Sequence, residues 1–95
     1  MKPQKTGQGP VVGFGVSLSR PRTTDTVQLF DRSHDPGEAG IAWRAWDFGD
    51  GSTAVGSSPV HRYTSAGRYA VTLTLATFDG RVGSVTREIE VSEGD

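Results

Sequence analysis

Cysteine is absent from the 95 residues, so neither a disulfide framework nor a thiolate metal site can form in this chain. That absence does not fix the compartment. A basic excess is missing too: Lys and Arg number 10 against 11 Asp and Glu, for a net charge of −1. The chain therefore lacks the cationic surface of a nucleic-acid binder. No apolar run approaches the roughly 18 residues that a membrane span needs. The start, Met1-Lys2-Pro3-Gln4-Lys5, has no apolar stretch of the kind a secretory signal carries. The chain reads as a piece of a larger secreted protein. No segment sustains a 3.6-residue apolar period, so helices are not expected.

What is present is glycine, at 13 residues, and short alternating segments in a chain only 34% hydrophobic. Both suit a turn-rich β-protein of one small domain, which buries roughly 60–65% of its unfolded surface. Residues 1–10 are polar and read as a linker or tail, 11–92 as the folded domain and 93–95 as a polar tail. Val11 to Ser19 predicts a first strand with Phe14, Val16 and Leu18 on one face. Asp25 to Asp31 predicts a second, with Val27 and Leu29 sharing a parity. In the third, Ile41 to Phe48, alternation puts Ile41, Trp43 and Ala45 on one face and Ala42, Arg44, Trp46 and Phe48 on the other. Val60 to Tyr63 is a short strand. Arg68 to Thr77 alternates most cleanly, with Tyr69, Val71, Leu73 and Leu75 on one side. Asp79-Gly80 is a strong hairpin signal, and Val82 to Val91 pairs back from it. Six or seven short strands with turns every 8–12 residues predict an all-β sandwich of two antiparallel sheets.

One run stands out: Trp46-Asp47-Phe48-Gly49-Asp50-Gly51. It is followed by Pro59-Val60-His61-Arg62-Tyr63, by Gly67-Arg68-Tyr69-Ala70-Val71-Thr72-Leu73 and by Asp79-Gly80. This order resembles the PKD (polycystic kidney disease) domain over about Val11 to Val91. The resemblance implies an immunoglobulin-like β-sandwich of about seven strands that lacks catalysis of its own. Such modules occur mostly outside cells or on their surface, as accessory or spacer units beside other domains, and some contact protein or polysaccharide. In that fold Trp46 fills the centre between the sheets and Phe48 continues the layer. Gly49 and Gly51 let the strand reverse, and the Asp50 carboxylate accepts N–H groups of the turn. His61 and Tyr63 share a face and bond backbone through their polar tips. Tyr69 follows Gly67 in the manner of a tyrosine corner. Two departures stand out. Arg44 occupies a place that is often aromatic, and the loop Ser33 to Gly40 lacks one acidic residue of the usual pattern.

Each candidate site has a plainer reading beside it. Asp47 and Asp50 are close enough for an acid–base pair, but turn capping accounts for them, and neither a serine elbow nor a paired histidine is in reach. The chain is read as non-enzymatic and without a cofactor. Calcium is the one exception weighed: Asp35, Glu38 and Asp79 would supply three carboxylates if their two loops met, and two solvated acidic loops are the plainer account. Trp43 faces outward by parity, where it would contact a polysaccharide, a fibrous protein or a neighbouring domain. A bulge would reverse that face. Arg44 would lie inward near the sheet edge. Arg62, Arg68, Arg81 and Arg87 read as a solvated surface.

Overall fold

Seven strands carry the chain: β1 (Phe14–Val16), β2 (Val27–Asp31), β3 (Ile41–Asp47), β4 (Thr53–Val55), β5 (Val60–His61), β6 (Gly67–Thr77) and β7 (Val82–Val91). The computed structural model describes residues 9–94; most of the expected N-terminal tail and Asp95 lie outside the described residues. Two antiparallel sheets result, ordered β1-β2-β5 and β4-β3-β6-β7. The alternating residues decide which faces meet. Val27 and Leu29 of one sheet close on Trp46, Val71, Leu73 and Leu75 of the other, each at most 1% exposed. Burying one such side chain contributes about 1.5–3 kcal/mol.

Two expectations need correction. Leu18 is 39% exposed rather than packed beside Phe14 and Val16. β1 ends at Val16, the Ser17 N–H makes one more bond to the Gln28 carbonyl at 2.9 Å, and alternation stops with the ladder. Second, Ile41 does not share a face with Trp43. Ile41 opposes Thr77 while Trp43 opposes Ala76, which leaves Ala42 as an extra, bulged residue. A bulge resets the parity upstream of it, so Ile41 turns to the core while Trp43 stays outward. Thr53–Val55, which the sequence reading left unassigned, is a strand that pairs with β3. Three residues ringed by Gly and Ser give too short an alternation to be read.

Each side of the sandwich is guarded in its own way. After β4 the chain crosses to the other sheet at Gly56, where φ is +103°. There the Ser57 and Pro59 carbonyls accept the N–H groups of Asp31 and Leu29, both at 2.9 Å. On the far edge Arg87 points inward. Its guanidinium donates to the Phe14 carbonyl and lies 5.2 Å from the Phe14 ring centroid. An inward-pointing charge of this kind discourages edge pairing with other chains.

The two ends of the described chain leave from opposite poles. Gly9 lies against the Val82 carbonyl at the start of β7. Beyond the end of β7, Ser92 is tied to Pro21 and Thr23 by backbone bonds of 3.0 and 2.9 Å, and the Gly94 N–H donates to Thr23 Oγ1 at 2.9 Å.

Candidate functional site

The β3–β4 turn gathers most of the residues singled out in the sequence. Asp47 Oδ1 accepts the Gly49 N–H at 2.9 Å, and Asp50 Oδ1 accepts the Ser52 N–H at 3.0 Å. These are turn caps, as the plainer reading had it. The second Asp50 oxygen meets His61 Nε2 at 2.7 Å. His61 thus bonds a side chain rather than the expected backbone group. Its ring stacks on Phe48 at 4.2 Å and meets Tyr63 edge-on at 4.6 Å. Tyr63 stacks in turn on Tyr69 at 4.3 Å. The hydroxyls anchor the ladder at both ends: Tyr63 donates to the Phe48 carbonyl at 2.8 Å, and Tyr69 to the Ser65 carbonyl at 2.6 Å. The last contact is the tyrosine-corner bond, four residues upstream. Burial pushes the Tyr63 phenol well above its usual range, and the Asp50 charge adds to it. Burial works to raise the Asp50 carboxyl, but the bonds from His61 and the Ser52 N–H together overcome it and leave it lowered. The group is a structural staple: rings and carboxylates hold β5 and the start of β6 to the β3–β4 turn.

At the opposite pole the loops of Asp35 and Asp79 do meet, and what lies between them is Arg81. The guanidinium grips Asp35 with two bonds, Nη1 to Oδ1 at 2.8 Å and Nη2 to Oδ2 at 2.9 Å. Its Nε donates to Asp79 at 2.9 and 3.1 Å. Asp35 also accepts the N–H groups of Gly37, Ala39 and Gly40 at 2.7–3.1 Å. Arg81 is therefore not a solvated surface charge; its side chain is 12% exposed and that of Asp35 2%. Glu38 sits on the same loop with φ at +66° and is exposed. Among the described residues no three metal-ligating side chains converge. The geometry thus lends the calcium expectation no support: Arg81 supplies the cation. Asp79 announces itself in the hairpin signal, but Arg81 is 46 residues from Asp35, and no local pattern reports such a pairing.

The Arg81 bond first, then the backbone donors, bring the Asp35 carboxyl down to about 2. An unfolded Asp titrates near 4. Its folded pKa is the lower one, so the stabilisation is complete above about pH 4 and is lost as pH falls toward 2. Asp35→Asn should lower Tm at neutral pH and flatten the fall in Tm between pH 4 and pH 2. An unchanged acid limb in a calorimetric pH series would show that this pair does not matter.

A second ionic contact crosses the sandwich. Arg44 faces inward, as its parity predicts, and its Nε bonds Asp31 of β2. Burial works to raise the Asp31 carboxyl; bonds from Ser33 and Arg44 overcome it and leave it lowered. The third feature is the outward Trp43, 49% exposed, with Phe78 at 74% and Val82 at 59% toward the same pole. Sequence reading found Trp43 by parity alone and passed over Phe78, which follows Thr77 in a hairpin loop closed by Thr77 and Arg81.

Comparison with known proteins places these features in a family. The PKD domain model matches residues 8–92, and the chain belongs to that family. A microbial collagenase of Vibrio alginolyticus is 40% identical over 47 residues, covering 50% of this chain and 6% of that protein. The chain thus spans a small fraction of the relatives it matches. The crystal structure of the PKD1 domain of Vibrio anguillarum Epp superposes with a TM-score of 0.80 at 32% identity, covering 92% of this chain and 98% of that one. A structure solved to explain the promiscuous specificity of carbohydrate-binding modules of the β-sandwich superfamily gives a TM-score of 0.86 at 30% identity. It covers 92% of this chain and 36% of that one.

Proposed function

We propose that this PKD domain is a non-catalytic accessory module of a larger extracellular or cell-surface protein, where it spaces and contacts neighbouring domains. The observation that carries the reading is the exit of the two ends at opposite poles of β7. Ten strand residues at about 3.3 Å each set them about 30 Å apart. The C-terminal exit is bonded to the body through Ser92 and Gly94, and the N-terminal one, two residues past Gly9, through the Val11–His34 bridge, so a domain on either side is held at a distance rather than on a loose tether. The collagenase relative, of which this chain matches a small part, is consistent with a unit among others. Asp47, Asp50 and His61 are spent on holding the β3–β4 turn, so among the described residues they do not form a free acid–base pair.

The chain has no cysteine, so a fluorophore pair at Gly9→Cys and Ser92→Cys is easily placed. A single narrow distance near 30 Å is expected. A broad or much shorter distribution would defeat the spacer reading, and hydrolysis of gelatin or a polysaccharide by the purified chain would defeat the non-catalytic one.

A second reading is favoured by Trp43: a module that binds polysaccharide or fibrous protein through an exposed sheet face. The likeness to the carbohydrate-binding structure and to a collagenase supports it.

A further inference from the structure

We propose that the outer face of the four-stranded sheet binds an extended, uncharged polysaccharide chain, with Trp43 as its stacking platform. The proposal rests on the second reading above and names its ligand and its site. The pairing register fixes what this face presents, because residues directly opposite in neighbouring strands point the same way. The first row is Trp43, Ala76 and Val82. Ala76 is 5% exposed although it faces outward. Trp43 and Val82 flank it in the row, and with Trp43 49% exposed about half of the indole surface is open to a ligand. Pyranose rings pack their C–H faces on such a surface.

The second row adds the hydroxyls of Thr74 and Ser84, and the third those of Thr72 and Thr86. Thr72 Oγ1 and Thr86 Oγ1 are 2.8 Å apart. After that mutual bond one hydroxyl hydrogen and further lone pairs stay available to a ligand. The rows follow one another at about 6.8 Å, so platform and hydroxyls span about 13–14 Å along the strands. That is an elongated site.

Charge then selects the ligand. Asp47 is the one charged residue in the three rows, and it caps Gly49. The next charges, Glu88 and Glu90 with Arg68, stand beyond them, where Arg68 and Glu88 pair at 3.8 Å. An acidic polymer would meet three carboxylates and one cation already paired. A peptide strand could not add to the middle of this face, because β3 and β6 are paired on both sides, and at the β7 edge it would meet the inward-pointing charge of Arg87. It would find no side-chain pockets either, since the described residues form none. An uncharged sugar polymer needs only the stacking face and the hydroxyls.

The test is depletion of the chain by microcrystalline cellulose and by chitin, against polygalacturonate in affinity gels and against fibrillar collagen. Wild type, Trp43→Ala, Thr74→Glu and a distant control, Val60→Ser on the other sheet, are compared after thermal melts confirm folding. Expected is salt-insensitive binding to a neutral polysaccharide that Val60→Ser keeps. Trp43→Ala and Thr74→Glu should each weaken it roughly tenfold, equivalent to about 1.4 kcal/mol. Binding to collagen or polygalacturonate with the same Trp43 dependence would overturn the polysaccharide assignment and leave the binding reading standing. Neutral-polymer binding that ignores both variants would overturn the site. No binding to any of the four would overturn the proposal and the second reading together.

Discussion

Replacing Trp46 by alanine should destabilise the domain by about 3–5 kcal/mol. A domain of this size has about 5–15 kcal/mol in total, so the variant should be partly unfolded at ambient temperature or melt far below the wild type. The expectation follows from what the indole touches. It is 1% exposed, meets the Phe14 ring edge-on at 5.3 Å, and lies between Ala54 and Leu73 in the cross-strand row. Its Nε1 donates to the Gly56 carbonyl at 2.7 Å. That bond ties the core residue to the point where the chain leaves one sheet for the other. Alanine would remove the bond and open a cavity between sheets that close-packed strands cannot collapse to fill. Trp46→Phe keeps much of the volume and loses the donor, so it should cost less, about 1–3 kcal/mol. The contrast with Trp43 makes the prediction specific. Trp43→Ala should cost about 1 kcal/mol or less, because that ring is half exposed on the outer face. Chemical denaturation of the three variants decides it: equal losses for Trp46→Ala and Trp43→Ala would mean that the sheet faces are wrongly assigned.

Parity along β3 shows how far local rules reach. From Trp43 to Asp47 the alternation held, because β6 pairs each of these residues without a break in register. The bulge at Ala42 is invisible in the sequence, since Ala there satisfies either face. Its consequence was only that Ile41 changed sides. The His61–Asp50 contact was half legible: both residues belong to the motif, but their meeting depends on the β2–β5 pairing that brings β5 beneath the turn. Arg81 was not legible at all. A guanidinium that reaches back 46 residues to Asp35 while also holding Asp79 is a tertiary fact. Read residue by residue, Asp35 and Asp79 are candidate metal ligands; in the fold a guanidinium two residues beyond Asp79 pairs with both. Local patterns of carboxylates report where negative charge gathers, and only the fold tells whether the chain itself neutralises it.

Gly49→Ala is expected to be the most damaging small substitution in the motif, at about 2–5 kcal/mol, while Gly51→Ala should cost about 1–2 kcal/mol. The two glycines have nearly the same backbone, φ of +86° and +94°, so both substitutions carry the strain of a left-handed residue. They differ in what surrounds them. A Cβ on Gly49 would lie 2.6 Å from the Ala70 carbonyl oxygen and 2.9 Å from its nitrogen, both backbone atoms of β6. A Cβ on Gly51 would meet nothing within 4 Å. Backbone held in a sheet cannot step aside as a flexible side chain does, so Gly49→Ala must push the turn away from β6. That movement would carry Asp50 from His61 and the Phe48 carbonyl from the Tyr63 hydroxyl, which now stand at 2.7 and 2.8 Å. Asparagine separates strain from crowding, since it tolerates the left-handed region better than other side chains. Gly51→Asn should be close to neutral and Gly49→Asn nearly as harmful as alanine. The shift of the His61 ring signals in the NMR spectrum of any folded Gly49 variant would report the broken contact directly. Matching losses at the two positions would show that backbone conformation alone, and not the approach of β6, makes glycine necessary at residue 49.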